Sequence, residues 1–116
     1  MIADDSAKSR ELLRMVLEGS GHEVIEACDG SQVLDRLGEA RPDLVVLDIQ
    51  MPVLDGFSTV CEIRRRAGYE ALPVVALSAY AMDGDRERAI SSGFTHYLSK
   101  PIPLSTLRQE LERFLK

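Results

Sequence analysis

The stretch Leu44-Val45-Val46-Leu47-Asp48-Ile49-Gln50-Met51-Pro52-Val53-Leu54-Asp55-Gly56 opens with four consecutive aliphatic residues. That is the pattern of a strand buried on both faces, at the centre of a parallel sheet. The strand ends on a carboxylate, Asp48. Pro52 then blocks simple continuation, and Asp55-Gly56 supplies turn chemistry before another apolar-periodic segment begins. An acid at the carboxyl end of a buried parallel strand lies where open α/β sheets keep their ligand sites. Taken alone, Asp48 reads equally well as a helix or turn cap.

Outward from this strand the same alternation repeats. Met1-Ile2-Ala3 is a stub of strand running into Asp4-Asp5. Ser6 to Ser20 places Leu12, Leu13, Val16 and Leu17 on one face and stops at Gly21, which predicts a helix. Glu23 to Ala27 alternates around Val24 and Ile25 as a short strand, and Gly30 to Ala40 is a second helix ended before Pro42. After the Asp48 strand a third helix runs through Val60 and Ile63. Leu72 to Ser78 is another fully apolar strand, this one ending on a hydroxyl. Asp83 to Ser92 is helical with only Ala89 and Ile90 as anchors, so it is expected to be the loosest helix. Thr95 to Leu98 is a last strand, closed by Ser99-Lys100-Pro101. Leu104, Leu107, Leu111, Phe114 and Leu115 then make an amphipathic helix that covers the sheet. Five strand–helix alternations without linker or repeat predict an α/β fold, a doubly wound parallel sheet with helices on both faces.

Composition narrows the function. A chain of 116 residues is one domain with a real core, and a formal net charge of −5 argues against nucleic acid or an anionic membrane as the main partner. Arg64-Arg65-Arg66 closes a helical segment, where cations favour the negative dipole end, and reads as a solvated helix terminus. Cys28 and Cys61 share no metal spacing and are expected to be small buried hydrophobes in a reducing compartment. With no signal peptide and no apolar run long enough to cross a bilayer, a soluble cytoplasmic protein is expected.

The strands end on Asp4-Asp5, Asp48, Ser78 and Lys100. In a doubly wound sheet of order 2-1-3-4-5, strands one, three, four and five lie side by side, and these groups meet in one shallow cleft. Each has a plainer role open to it: Asp5 capping the first helix, Ser78 capping a turn, Lys100 solvated. Clustered acids need a partner, because two unit charges ~4 Å apart repel by about 4 kcal/mol at an effective dielectric of ~20. Such acids either raise a pKa or bind a cation. All-oxygen ligands favour a hard ion, Mg²⁺ before Ca²⁺. With Lys100 and Ser78 opposite, the cleft suits a phosphoryl group carried on a carboxylate.

At these residues the chain resembles the receiver domain of two-component response regulators, over essentially all of residues 1–116. The motifs are specific in combination: Asp4-Asp5-Ser6, Asp48 with Met51-Pro52 and Asp55-Gly56, Ser78-Ala79, and Lys100-Pro101. The resemblance implies the 2-1-3-4-5 flavodoxin-like order and a cis peptide before Pro101. It implies that Asp48 is the phosphoacceptor, fed by the phosphohistidine of a sensor histidine kinase or a histidine phosphotransfer protein. Mg²⁺ would be held by Asp5 and Asp48, by Asp4 directly or through water, and by the Gln50 backbone carbonyl. Lys100 would pair with the phosphoryl oxygens and Ser78 would hydrogen-bond one of them. Tyr97 stands at the family's switch aromatic, although it reads equally well as a half-buried strand tyrosine. Gln50 and Tyr80 would flank the rim and govern hydrolysis. A downstream protein target is implied. Phosphodonor docking is expected on the first helix, through Leu13 or Met15 ringed by Lys8, Arg10 and Arg14.

Two departures stand out: only Met1-Ile2-Ala3 precedes the acid pair, where the family usually has several more apolar residues, and nothing follows the last helix. A single-domain regulator and a hybrid-kinase receiver module both fit. The expected role is signalling rather than enzymatic turnover of a separate substrate. A haloacid-dehalogenase-type aspartyl-phosphate phosphatase is the alternative, but it needs a second acid two residues after the first, where this chain has Gln50. A flavodoxin would share the fold, yet Asp4-Asp5 would repel its phosphate.

Overall fold

The computed structural model describes residues 1–79 and 84–115. Five parallel strands form one sheet of order β2-β1-β3-β4-β5. They are β1 (Ile2–Ala3), β2 (Glu26–Ala27), β3 (Val45–Asp48), β4 (Val74–Ser78) and β5 (His96–Ser99). The helices between and after them are α1 (Ala7–Gly19), α2 (Gly30–Ala40), α3 (Gly56–Arg65), α4 (Asp85–Ser92) and α5 (Leu104–Glu112). The doubly wound sheet expected from the sequence is therefore present, with the crossovers between its parallel strands carried by helices.

Period-2 alternation sorts the central strands onto two cores. Val45 and Leu47 pack with Val33, Leu37, Phe57, Val60 and Ile63 from α2 and α3. Val46 and, from β4, Val75 and Leu77 pack with Leu13, Leu17, Leu107 and Leu111 from α1 and α5. Both faces of β3 are thus covered, which is why its sequence is a continuous apolar run rather than an alternation.

The register then places the strand ends. Ile2 pairs with Val46 and Ala3 with Leu47. One step further along, Asp4 falls beside Asp48, on strands about 4.8 Å apart. Leu77 pairs with Leu98 and Ser78 with Ser99, so Lys100 follows on the face that carries Leu98.

Local chemistry at the helix starts agrees with this layout. Ser6, Asp29 and Asp55 cap α1, α2 and α3, each accepting from the N–H three residues on. By contrast α4 starts at Gly84 with no side-chain cap and buries only Ala89, as expected for the weakest helix.

Three details differ from the sequence reading. β2 is confined to Glu26–Ala27. Cys28 and Cys61 are both exposed rather than core hydrophobes, because Cys28 falls in the connection between β2 and α2 and Cys61 on the exposed side of α3. Arg64 is not a solvated helix end: its guanidinium donates to the carbonyls of Gly93, Tyr69 and Leu72 at 2.9, 2.8 and 2.7 Å. Burial lowers its pKa, and the three carbonyls tie α3 to the loop before β4 and to the end of α4. Its neighbours Arg65 and Arg66 do remain outside, on Glu62 and the Leu34 carbonyl.

The β3–α3 connection is held by two unusual positions. A Cβ on Gly56 would lie 2.7 Å from Ile49 Cα and 2.8 Å from the Asp48 carbonyl oxygen, both backbone atoms that cannot swing aside. Val53 adopts φ 67°, a costly region for a β-branched residue, while its side chain is 83% exposed. Gly56→Ala is therefore expected to lower stability by more than about 2 kcal/mol. Val53→Asn is expected to raise it by about 1 kcal/mol. Urea unfolding of the two variants beside wild type measures both, and the opposite signs are the result to look for.

Candidate functional site at the carboxyl ends of the strands

The cleft is built by β1, β3 and β5 ending in register. Asp4 is 1% exposed, Asp48 is 7% exposed, and Asp5, one residue past Asp4, is on the surface. Carboxylate oxygens of all three lie within 4.8 Å of one another. Lys100 Nζ is 3.0 Å from Asp4 Oδ2 and 3.9 Å from Asp48 Oδ2. The remaining oxygens are oriented by backbone donors: Ser6 N–H donates to Asp4 Oδ1 at 2.8 Å and Gln50 N–H to Asp48 Oδ1 at 3.0 Å.

Two groups of the set lie nearby on the other side of the sheet plane. By strand alternation, Ser78 and Tyr97 share the face of Ala76, the residue paired with Tyr97. Ser78 Oγ and Tyr97 Oη are both buried, and neither has a hydrogen-bond partner among the described residues. An unmade hydrogen bond in a buried hydroxyl costs about 1–3 kcal/mol, so each is a poised donor. Tyr97 is only 7% exposed and packs in the α2–α3–α4 core. Tyr97 is therefore buried rather than half-buried. Gln50 is exposed at the rim. Tyr80 lies outside the described residues. The Lys100–Pro101 peptide is cis.

On α1, Leu13 is core and Leu12 is the residue left outside, at 45% exposure, with Met15 at 62%. Arg10 and Arg14 do not ring that patch freely, because both pair with Glu26 of β2. The sequence reading overlooked Arg10 as a neighbour of the acids. Its seven-residue stretch from Asp4 spans the turn and the first turn of α1, and that spacing was the available signal.

Electrostatics follow from burial. Desolvation pushes the Asp48 carboxyl up to about 6; the Gln50 N–H and the Lys100 cation pull it down, while the Asp4 carboxylate pushes it further up. A group at about 6 is still mostly ionised at neutral pH, so the anion is retained as a nucleophile or ligand. For the cation test, every donor in the cluster is a carboxylate oxygen, and one Asp48 oxygen already accepts a backbone N–H. This donor set suits a small hard cation.

Comparison with known proteins agrees with the fold. Residues 1–112 match the family model described as response regulator receiver domain. The chain is 35% identical over 115 residues to the polar-differentiation response regulator DivK of Brucella anthropi, covering 99% of this chain and 94% of that one. It superposes on the chemotaxis protein CheY4 of Vibrio cholerae with a TM-score of 0.91 at 31% identity, covering 97% and 94% of the two chains. The receiver domain of the sensor histidine kinase PA1611 from Pseudomonas aeruginosa PAO1, with a magnesium ion coordinated in its active site cleft, gives a TM-score of 0.89 at 32% identity, covering 98% and 93%. The fold and the cleft define a receiver module of two-component signalling. The chain belongs to the response regulator receiver domain family. Among the described residues no helix is long and apolar enough to cross a membrane.

The raised Asp48 pKa carries a stability consequence. The folded state binds this proton more tightly than the unfolded chain, whose ordinary value is 3.8. Stability from this group is therefore complete below about pH 4 and is lost as pH rises through about 6. Between pH 4 and 7, metal-free wild type is expected to lose on the order of 1 kcal/mol relative to Asp48→Asn, solvent screening taking up part of the shift. Urea midpoints of both proteins in a chelator, taken across that range, measure the difference; parallel pH profiles would refute it.

Proposed function

We propose that this chain is a phosphorylation-controlled switch that takes a phosphoryl group onto Asp48 from a phosphohistidine donor. The observation that carries the reading is the buried acid pair, Asp4 beside Asp48, with Lys100 Nζ within 3.0 and 3.9 Å of them. An anion-rich pocket with one fixed ammonium and one unpartnered hydroxyl is matched to a phosphoryl group rather than to a neutral ligand.

Asp4, Asp5, Asp48 and the Gln50 backbone carbonyl would hold Mg²⁺. Both Asp4 oxygens are already engaged, by Ser6 N–H and by Lys100, which favours Asp5 and Asp48 for direct contact and Asp4 for contact through water. When bound, the cation neutralises charge on the entering phosphoryl oxygens. In the transfer, a P–O bond to an Asp48 carboxylate oxygen forms as the donor's P–N bond breaks, and the leaving imidazole takes up a proton. The Gln50 N–H keeps the Asp48 carboxylate fixed in orientation. Lys100, released from Asp4, pairs with the phosphoryl oxygens.

The signal is read out on the other face. Ser78 Oγ donates to a phosphoryl oxygen and satisfies its unmade hydrogen bond. Tyr97 then holds its inward position against the α4 side, and α4, with one buried residue and no side-chain cap, is the element free to respond. Gln50 at the rim orients water for hydrolysis of the acyl phosphate. The partners are a sensor histidine kinase or phosphotransfer protein, docking over exposed Leu12, Met15 and Leu104, and a downstream protein that reads the altered α4 face. The chain turns over no separate substrate; its chemistry is its own phosphorylation and dephosphorylation.

Incubation with acetyl phosphate and Mg²⁺ followed by intact-mass spectrometry tests this reading. A gain of one phosphate, lost in Asp48→Asn and in chelator, is expected. Lys100→Ala should cut the labelling rate by about 10²-fold or more, as removal of a preorganised charge does elsewhere. Equal labelling of wild type and Asp48→Asn would exclude Asp48 as the acceptor.

A further inference from the structure

We propose that Arg10 is a positioning residue for the acid pair: its guanidinium pins the Asp4 main chain, and through it the Asp4–Asp5 turn, in the geometry that binds the cation. The inference rests on the reading of the acid cluster as a Mg²⁺ site. Arg10 NH1 donates to the Asp4 carbonyl oxygen at 2.7 Å, and Arg10 Nε donates to Glu26 Oε1 at 3.2 Å. One planar side chain thus joins α1, the end of β1 and the neighbouring strand β2. Its side chain is only 15% exposed, so the contacts are made largely out of solvent.

The Asp4 side chain is held by the Ser6 N–H and Lys100, and the need for a clamp on the main chain comes from how little strand pairing holds it there. β1 is two residues long, and its ladder ends at Ala3. Beyond it, the Asp4 N–H reaches the Ala27 carbonyl at 3.3 Å, a long bond. The Asp4 carbonyl lies past the last paired residue of the strand. Arg10 supplies its donor, and Glu26 fixes the Arg10 fork from the other side. Groups that orient metal ligands in this way commonly matter for affinity by about 10–100-fold. A lysine could not serve both acceptors, because it lacks the rigid two-pronged donor set.

The sign of the effect separates positioning from simple charge. Removing a cation close to an acid cluster would, by electrostatics alone, tighten binding of Mg²⁺. Loss of the clamp weakens it. Arg14 is the internal control, since it also pairs with Glu26 but makes no contact with Asp4 among the described residues.

The test is calorimetric titration of MgCl₂ into the metal-free full chain. It compares wild type, Arg10→Ala, Arg10→Lys and Arg14→Ala at a temperature where circular dichroism shows each folded. Expected are a dissociation constant raised about tenfold or more in Arg10→Ala, several-fold in Arg10→Lys, and less than about twofold in Arg14→Ala. If Arg10→Ala does not fold, Arg10→Lys, which keeps the charge, decides the matter alone. Binding as tight as wild type or tighter in the Arg10 variants overturns the inference, and so does equal weakening in the Arg14 variant. A wild type that fails to bind Mg²⁺ overturns the metal-site reading itself, and that result is distinct from the others.

Discussion

Two like charges held side by side are the constraint on which the rest of this structure depends. Parallel pairing of β1 with β3 sets Asp4 next to Asp48 at the ends of adjacent strands, both nearly out of solvent. The Asp48 carboxylate is not stable there alone, because burial and the neighbouring Asp4 charge both oppose its ionisation. What surrounds them is compensation: Lys100, just past β5, beside both acids, and the Ser6 and Gln50 amides on the outer oxygens, while Asp5 completes a set of hard oxygen donors. The compensation is partial, and the Asp48 pKa of about 6 records the remainder. A cleft left short of positive charge is one suited to a cation.

The backbone around the site is correspondingly exacting. Gly56 allows the β3–α3 connection to fold back within van der Waals contact of the Asp48 and Ile49 main chain. Gly56 N–H closes that loop onto the Ile49 carbonyl at 2.9 Å. Val53 carries an unfavourable φ in the same loop. Strain of this kind persists only where surrounding structure determines it, and here it sits between the phosphoacceptor candidate and its following helix.

The two sides of the sheet divide the labour. The α1–α5 face carries Asp4, Asp48 and Lys100, with Leu13, Leu17, Leu107 and Leu111 packed firmly behind them. The opposite face carries Ser78 and Tyr97, two buried hydroxyls without partners among the described residues, against the thinly anchored α4. Arg64 holds the end of α4 by its bond to the Gly93 carbonyl, while its Gly84 start has no side-chain cap.

Most of the fold was legible in one dimension. Continuous apolar runs for β3 and β4 and helical periodicity between them are local signals, and local signals survive without tertiary context; the cap of α1 is Ser6 and not Asp5. The acids, Ser78 and Lys100 were legible for the same reason: each terminates a strand, and parallel strands end together. What only the tertiary structure decided are matters of facing and of long-range pairing. Cys28 and Cys61 turn outward, Leu12 and not Leu13 is left on the surface, and Arg64 folds onto three carbonyls although its sequence context is that of a solvated helix end. Arg10 likewise reads as one more surface cation until β2 brings Glu26 beside it and β1 ends at Asp4. A residue's type and spacing declare which groups it can satisfy, but which of them come within reach is fixed by strand order and register.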